Sequence, residues 1–270
     1  LVAVFFAFTA VLMCLCIREK STVDMPVNSI GDMFRALIRN DQAMTVVVSI
    51  VLINCSIYLT SNLVIYFFKY DFGGEGWQNA YTLFNIFGGA MQILSMMLLY
   101  PVIRKFLSTV QVFRASLGMA VAGYAVLLAL ACTNMSNVFL LFIPGFFIFG
   151  ANGLLTILTT VFLANSVDYG QWKNGTRDES VIFSMQTFVV KLASGVAVLL
   201  ASICLAVFQI SENTEAEAVA ATQSVMGLRL TMTVLPVIGL AAAAIFFGKK
   251  FRLTDEKMEE IGEELRKKGV

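Results

Sequence analysis

Apolar residues in this chain do not alternate. They come in long runs separated by short polar connections. A helix needs about 20 residues to cross ~30 Å of hydrocarbon. Seven runs reach or approach that length: 1–17 (cut short), 42–68, 80–100, 115–132, 138–163, 181–210 and 223–247. Membrane barrels require alternating segments, which these runs lack. The pattern predicts an all-α membrane protein with seven transmembrane helices.

The connections carry the topology. Successive connections from 18–41 to the tail hold 4, 1, 3, 0, 2, 0 and 7 Lys or Arg residues. Every second one is basic, which puts those segments and the C-terminus in the cytoplasm of a multi-pass protein of the plasma (inner) membrane. Four regions follow: an orphan span at 1–17, a cytoplasmic loop at 18–41, a six-span block at 42–247 and a tail at 248–270. Within the loop, Ile30, Met33, Phe34, Leu37 and Ile38 share one face, as expected of an interfacial helix. In the tail, Met258, Ile261 and Leu265 share a face, with acids first and bases last, which suits a helix dipole. The block reads as two three-helix units, the second inverted.

Composition agrees. The 270 residues are 58% hydrophobic and 14% charged, with mean hydropathy +0.80. Soluble domains run nearer 45–50% apolar and ~25% charged. This excludes a soluble enzyme, a disordered chain and a nucleic-acid binder. There is no His, and the five cysteines have neither disulfide nor zinc spacing. No nucleophile–base pair or phosphate loop is present, so no catalytic residue, cofactor or metal site is expected.

Polar residues in lipid are costly and usually face a bundle interior or an aqueous path. Four spans carry polar stripes: Asn54, Tyr58 and Asn62; Asn85 and Gln92, flanking Gly88–Gly89; Asn152, Thr156 and Thr159; and Ser184, Thr187, Lys191 and Ser194, with Gln186 beside them. Small sites such as Gly88–Gly89 and Ser194–Gly195 suit close packing. No carboxylate falls inside a run. Lys191 lies ten residues into its run, ~15 Å deep at 1.5 Å per residue. It calls for a counter-charge that no run supplies. Arg229, near the outer end of the last run, is expected to snorkel to the interface.

The stretch ANSVDYGQWKNGTRDESVIFSMQTFVVKLASG, 164–195, resembles the glycoside–pentoside–hexuronide cation symporters, the melibiose-carrier branch of the major facilitator superfamily. Asp168-Tyr169-Gly170, Arg177, Glu179-Ser180, Ser184, Gln186-Thr187 and Lys191 match that family's order and spacing over about 30 residues. NDQAMTVVV and FFKYDFGG are similar to it too. The resemblance implies a major-facilitator-type bundle: the last helix of an N-terminal half plus the six-helix C-terminal half, with the rest of the N-terminal half absent from this chain. It implies that Gln186 and Thr187 contact sugar, with Lys191 beside both cation and sugar sites. The stripe residues Thr156, Asn152, Asn54 and Tyr58 join them as substrate-binding candidates. It implies a cytoplasmic gate of Asp168, Tyr169, Arg177 and Glu179. Asn165 and Gln171 depart from the pattern, standing where it often has acids.

The function implied is cation-coupled symport (Na+ or H+) of a glycoside, pentoside or hexuronide by alternating access. The coupling ion would be bound mainly by residues outside this chain. The expected partners are a sugar, the lipid bilayer and the missing N-terminal half. Two alternatives stay open: a same-fold transporter of an anionic amphiphile or lipid, and a complete seven-helix receptor or structural membrane protein.

Overall fold

The computed structural model describes residues 2–16, 30–74, 76–133, 137–210 and 222–267. They are helical almost throughout, and no strand occurs among them. The chain divides into two units, Leu1–Asp32 and Met33–Val270. The first contains α1 (Val2–Cys16), an apolar helix of 15 residues. Helix α2 (Ile30–Arg39) begins at the end of that unit and runs into the second.

The second unit is a helix bundle. Its elements are α3 (Asp41–Tyr66), α4 (Trp77–Leu94), α5 (Tyr100–Arg104), α6 (Thr109–Ala131), α7 (Val138–Asn174), α8 (Glu179–Val207), α9 (Thr222–Lys250) and α10 (Asp255–Lys267). Six helices among the described residues are long and apolar enough to cross a membrane, and a shorter apolar helix lies at the N-terminal end. This is the expected all-α membrane fold, but several helices overrun their apolar stretches.

Helix α7 is the clearest case. It runs 37 residues, to Asn174, so the expected connection at 164–180 is helical for most of its length. Nothing before Gly175 breaks the helix; Gly175 takes a left-handed φ of 74° and ends it. Helix α3 is likewise prolonged by a π-helical segment, Phe67–Phe72. Asp71 therefore lies in the last turn of a helix rather than in a loop. Positive φ at Gly73, Gly74 and Gly76 then turns the chain into α4. Between α4 and α5 a π-helical segment, Ser95–Leu99, precedes Pro101. Pro101 has no N–H and its ring crowds the preceding turn, which a wider turn relieves.

Helix α3 is the hub, packed against α8, α9 and α7. Its contact with α8 uses a small-residue seam at four-residue spacing, Ala193, Ala197 and Ala201, all buried. Small side chains let helices approach closely where no hydrophobic effect drives them together. The Cys55 thiol reaches the Ala193 carbonyl at 3.6 Å across this seam. On the α9 side, Thr60 donates to the Met232 carbonyl at 2.9 Å and lies 3.0 Å from the buried Tyr124 hydroxyl of α6. Phe113, Phe162 and Phe247 stack between α6, α7 and α9, with centroids 4.3–5.4 Å apart.

The small sites divide. Gly88 packs against Phe149, whereas Gly89 and Gly195 meet nothing within 4 Å. In α2, Leu37 is buried and Ile38 is exposed; the side chains of Ile30, Met33 and Phe34, the rest of the expected apolar face, lie outside those described. In α10, Ile261 is fully buried while Met258 and Leu265 are half-buried, as a cap on the bundle requires.

Candidate functional site

A cavity of about 390 Å³ opens between α3, α4, α7 and α8. Its polar lining is Asn54, Tyr58 and Ser61 from α3, Gln92 from α4, Asn152, Thr156 and Thr159 from α7, and Gln186 from α8. Apolar walls come from Ile50, Ile53, Ile57, Phe149, Leu155 and Val190. No charged side chain lines it.

Packing sets these residues in place. Gly153 lets α4 close on α7: a Cβ there would meet the Gln92 carbonyl at 2.5 Å. Ser95 in the π-helical segment donates to the Gly150 carbonyl at 2.6 Å, fixing the same contact. Gln92 thereby arrives opposite Asn152 and Thr156. On α8, Gln186 and Val190 are four residues apart and share the face that meets the cavity. Gln186 also donates to the Thr160 hydroxyl at 3.3 Å.

Five of the seven expected substrate residues thus come together: Asn54, Tyr58, Asn152, Thr156 and Gln186. Thr187 and Lys191 do not line the cavity. Thr187 is exposed, with its hydroxyl 3.4 Å from the Phe183 carbonyl. Lys191 is exposed on α8 and pairs with no described residue. The stripe through Ser184, Thr187 and Lys191 faces away from the cavity that Gln186 lines. Ser61 was the residue missed, because it sits between Tyr58 and Asn62 off the four-residue spacing.

The expected gate residues form two clusters at the ends of α7 and α3. Arg177 bridges Asp168 at 2.9 Å, Glu179 at 3.2 Å and the Gln171 amide oxygen at 2.8 Å. Burial alone would lower the Arg177 pKa, but its bonds to Asp168 and Glu179 outweigh that and hold it above the ordinary value. Gln171, where an acid was often expected, is itself a ligand of the guanidinium. Tyr169 belongs to a second cluster: its hydroxyl donates to Asp41 at 3.1 Å, and Lys173 pairs with the same carboxylate at 2.6 Å. Asp41 and Lys173 gave no sequence signal beyond being charged ends of helices.

At the opposite helix ends, Arg229 finds a protein partner. It makes a two-pronged ion pair with Asp71, at 2.6 and 2.7 Å, whose side chain is only 6% exposed. The pair joins α9 to the π-helical end of α3.

Among the described residues no group of His, Cys, Asp and Glu is placed to hold a metal ion. The described residues gather neutral hydrogen-bonding groups in a cavity within a bundle of apolar helices long enough to cross a membrane. A family model described as MFS/sugar transport protein matches residues 1–255, and the chain belongs to that family. It is 25% identical over 254 residues to the uncharacterized symporter YjmB of Bacillus subtilis, covering 93% of this chain and 50% of that protein. It is 26% identical over 236 residues to the raffinose carrier protein of Pediococcus pentosaceus, covering 87% and 35%. It is 24% identical over 204 residues to the isoprimeverose transporter of Lactiplantibacillus pentosus, covering 74% and 40%. The chain spans half or less of the length of these curated relatives.

Proposed function

We propose that the protein carrying this chain transports a neutral glycoside, pentoside or related sugar across the plasma membrane by cation-coupled symport. The uncharged, hydroxyl- and amide-rich lining of the central cavity is the observation that carries the reading. A sugar entering it exchanges water for Asn54, Tyr58, Gln92, Asn152, Thr156 and Gln186. Each hydroxyl left unpaired would cost more than the bond returns, so close matching gives selectivity. The lack of a lining charge favours a neutral sugar over an anionic amphiphile.

In this reading a second helix bundle closes the open side of the cavity, and the two rock about the sugar to expose it alternately. The coupling Na+ or H+ is cargo, and carboxylates of that second bundle bind it, since none lines this cavity. Lys191, exposed on α8, sits where it meets that bundle and balances those carboxylates. The Arg177 cluster lies at the cytoplasmic ends, with the C-terminus on the same side, and breaks and re-forms as the ends part.

The test is uptake into membrane vesicles from cells expressing the gene in its natural reading frame. Sugar should accumulate when an inward Na+ or H+ gradient is imposed. Arg177→Gln should slow uptake several-fold more than it weakens sugar binding. A loss confined to binding would remove the gate role.

A further inference from the structure

A second, smaller cavity of about 60 Å³ adjoins the first. The two share Ile57, Ser61, Phe149 and Asn152 in their walls. The lobe extends toward the helix ends that carry the 69–79 and 133–137 connections. Its remaining wall is chiefly apolar, with Val64, Phe67, Phe68, Phe84, Leu127, Leu141 and Met232. Rings close it: Phe84 lies 5.5 Å from Phe68 and 5.3 Å from Phe149, centroid to centroid.

The polar residues of this lobe spend hydrogen bonds on the protein. Thr60 is bonded to Tyr124 and the Met232 carbonyl, Ser61 to the Ile57 carbonyl at 3.1 Å and Asn85 to the Tyr81 carbonyl at 2.8 Å. Asn152, at the junction, has no side-chain hydrogen bond among the described residues. The junction thus presents a free amide to a polar group on one side and leads to an apolar recess on the other. A cavity of ~150 Å³ takes benzene, so 60 Å³ takes about two to three carbon atoms.

We propose that this lobe is a specificity subsite, and that the substrate is a sugar bearing a short apolar substituent, with its ring in the larger cavity. The proposal rests on the sugar-transport reading above. The substituent is either a short alkyl aglycone or the methyl group of a deoxysugar; both present the same chemistry to the lobe.

Competition with labelled-sugar uptake, in the vesicles described above, tests it. The competitors are one parent sugar, its methyl, ethyl, propyl and octyl glycosides, and its 6-deoxy form. Affinity should rise about four-fold per added carbon and stop rising after two or three. A rise in the alkyl arm identifies an aglycone; a rise only in the deoxy arm identifies a ring methyl. Val64→Phe, which fills the lobe, should bring the ratio of substituted to parent affinity toward one. Phe84→Leu, which enlarges it, should move the plateau to longer chains, a gain that misfolding cannot mimic. Normal uptake of the parent sugar with a flat competitor series overturns the subsite and leaves the transport reading intact. Uptake of no sugar overturns both.

Discussion

Most polar side chains in the spans spend a hydrogen bond on their own helix. Asn54 donates to the Ile50 carbonyl, Asn62 to Tyr58, Thr156 to Asn152 and Thr159 to Leu155, each four residues back. The Tyr58 hydroxyl and the Gln92 and Asn152 amides make no such bond among the described residues, and all three line the cavity. They are the groups with the most to offer a ligand. Asn152→Leu should weaken sugar binding by about 2- to 13-fold, the worth of about 0.5–1.5 kcal/mol for one hydrogen bond. Isothermal titration on the purified protein measures it; unchanged binding would remove Asn152 from the site. The Asp71–Arg229 pair belongs to the same scale. Removing Asp71 leaves the half-buried Arg229 guanidinium, 20% exposed, without its carboxylate, at a cost below the ~3–5 kcal/mol of a fully buried pair. Asp71→Asn should therefore lower the thermal midpoint, and adding Arg229→Leu should restore part of it. Additive losses in the double variant would mean that the two charges do not depend on each other.

At the scale of elements, apolar runs locate helices well but not their ends. The run at 138–163 gives α7 its membrane-crossing part, yet the helix continues eleven residues to Asn174. Those residues are polar because they leave the hydrocarbon, not because they leave the helix. Amphipathic faces were legible only where one surface covers them. The tail shows this: Ile261 is buried, Trp172 donates to Glu264 at 2.7 Å, and Asp255 takes bonds from the Thr109 amide and hydroxyl. Burial alone would raise the Asp255 pKa. The bonds from Thr109, with Arg104 beside them, outweigh it and hold the carboxyl below its ordinary value. A depressed carboxyl stabilises docking above its unfolded pKa and loses that contribution as pH falls toward the folded value. Hydrogen-exchange protection of Asp255–Lys267 should be full at about pH 6 and decline below about pH 4. Asp255→Asn should remove the contribution of this carboxyl to that decline; an unaltered profile in the variant would place its origin elsewhere.

At the scale of the whole molecule, the helical class and six of the spans followed from sequence because hydrocarbon thickness and backbone hydrogen bonding leave few solutions. The cavity was legible in part. Periodicity marks a polar stripe on α8 but not which way it faces, since a stripe toward this cavity and one toward another surface obey the same spacing. Gln186, off the stripe, lines the cavity, while Thr187 and Lys191 do not. Only the packing of Ala193, Ala197 and Ala201 on α3 fixes the rotation of that helix. The lining of the chamber is uncharged, and the ion pairs at Asp41, Arg177 and Arg229 lie toward helix ends, with Lys191 the exception in the middle of α8.

The most direct test compares gradient-driven uptake of a labelled glycoside by vesicles carrying the unaltered protein and the Asn152→Leu variant at equal abundance. Accumulation above the outside concentration is expected in the first, and a several-fold higher half-saturation concentration in the second. Absence of accumulation for every glycoside and pentoside tried, under both Na+ and H+ gradients, would contradict sugar transport by this protein.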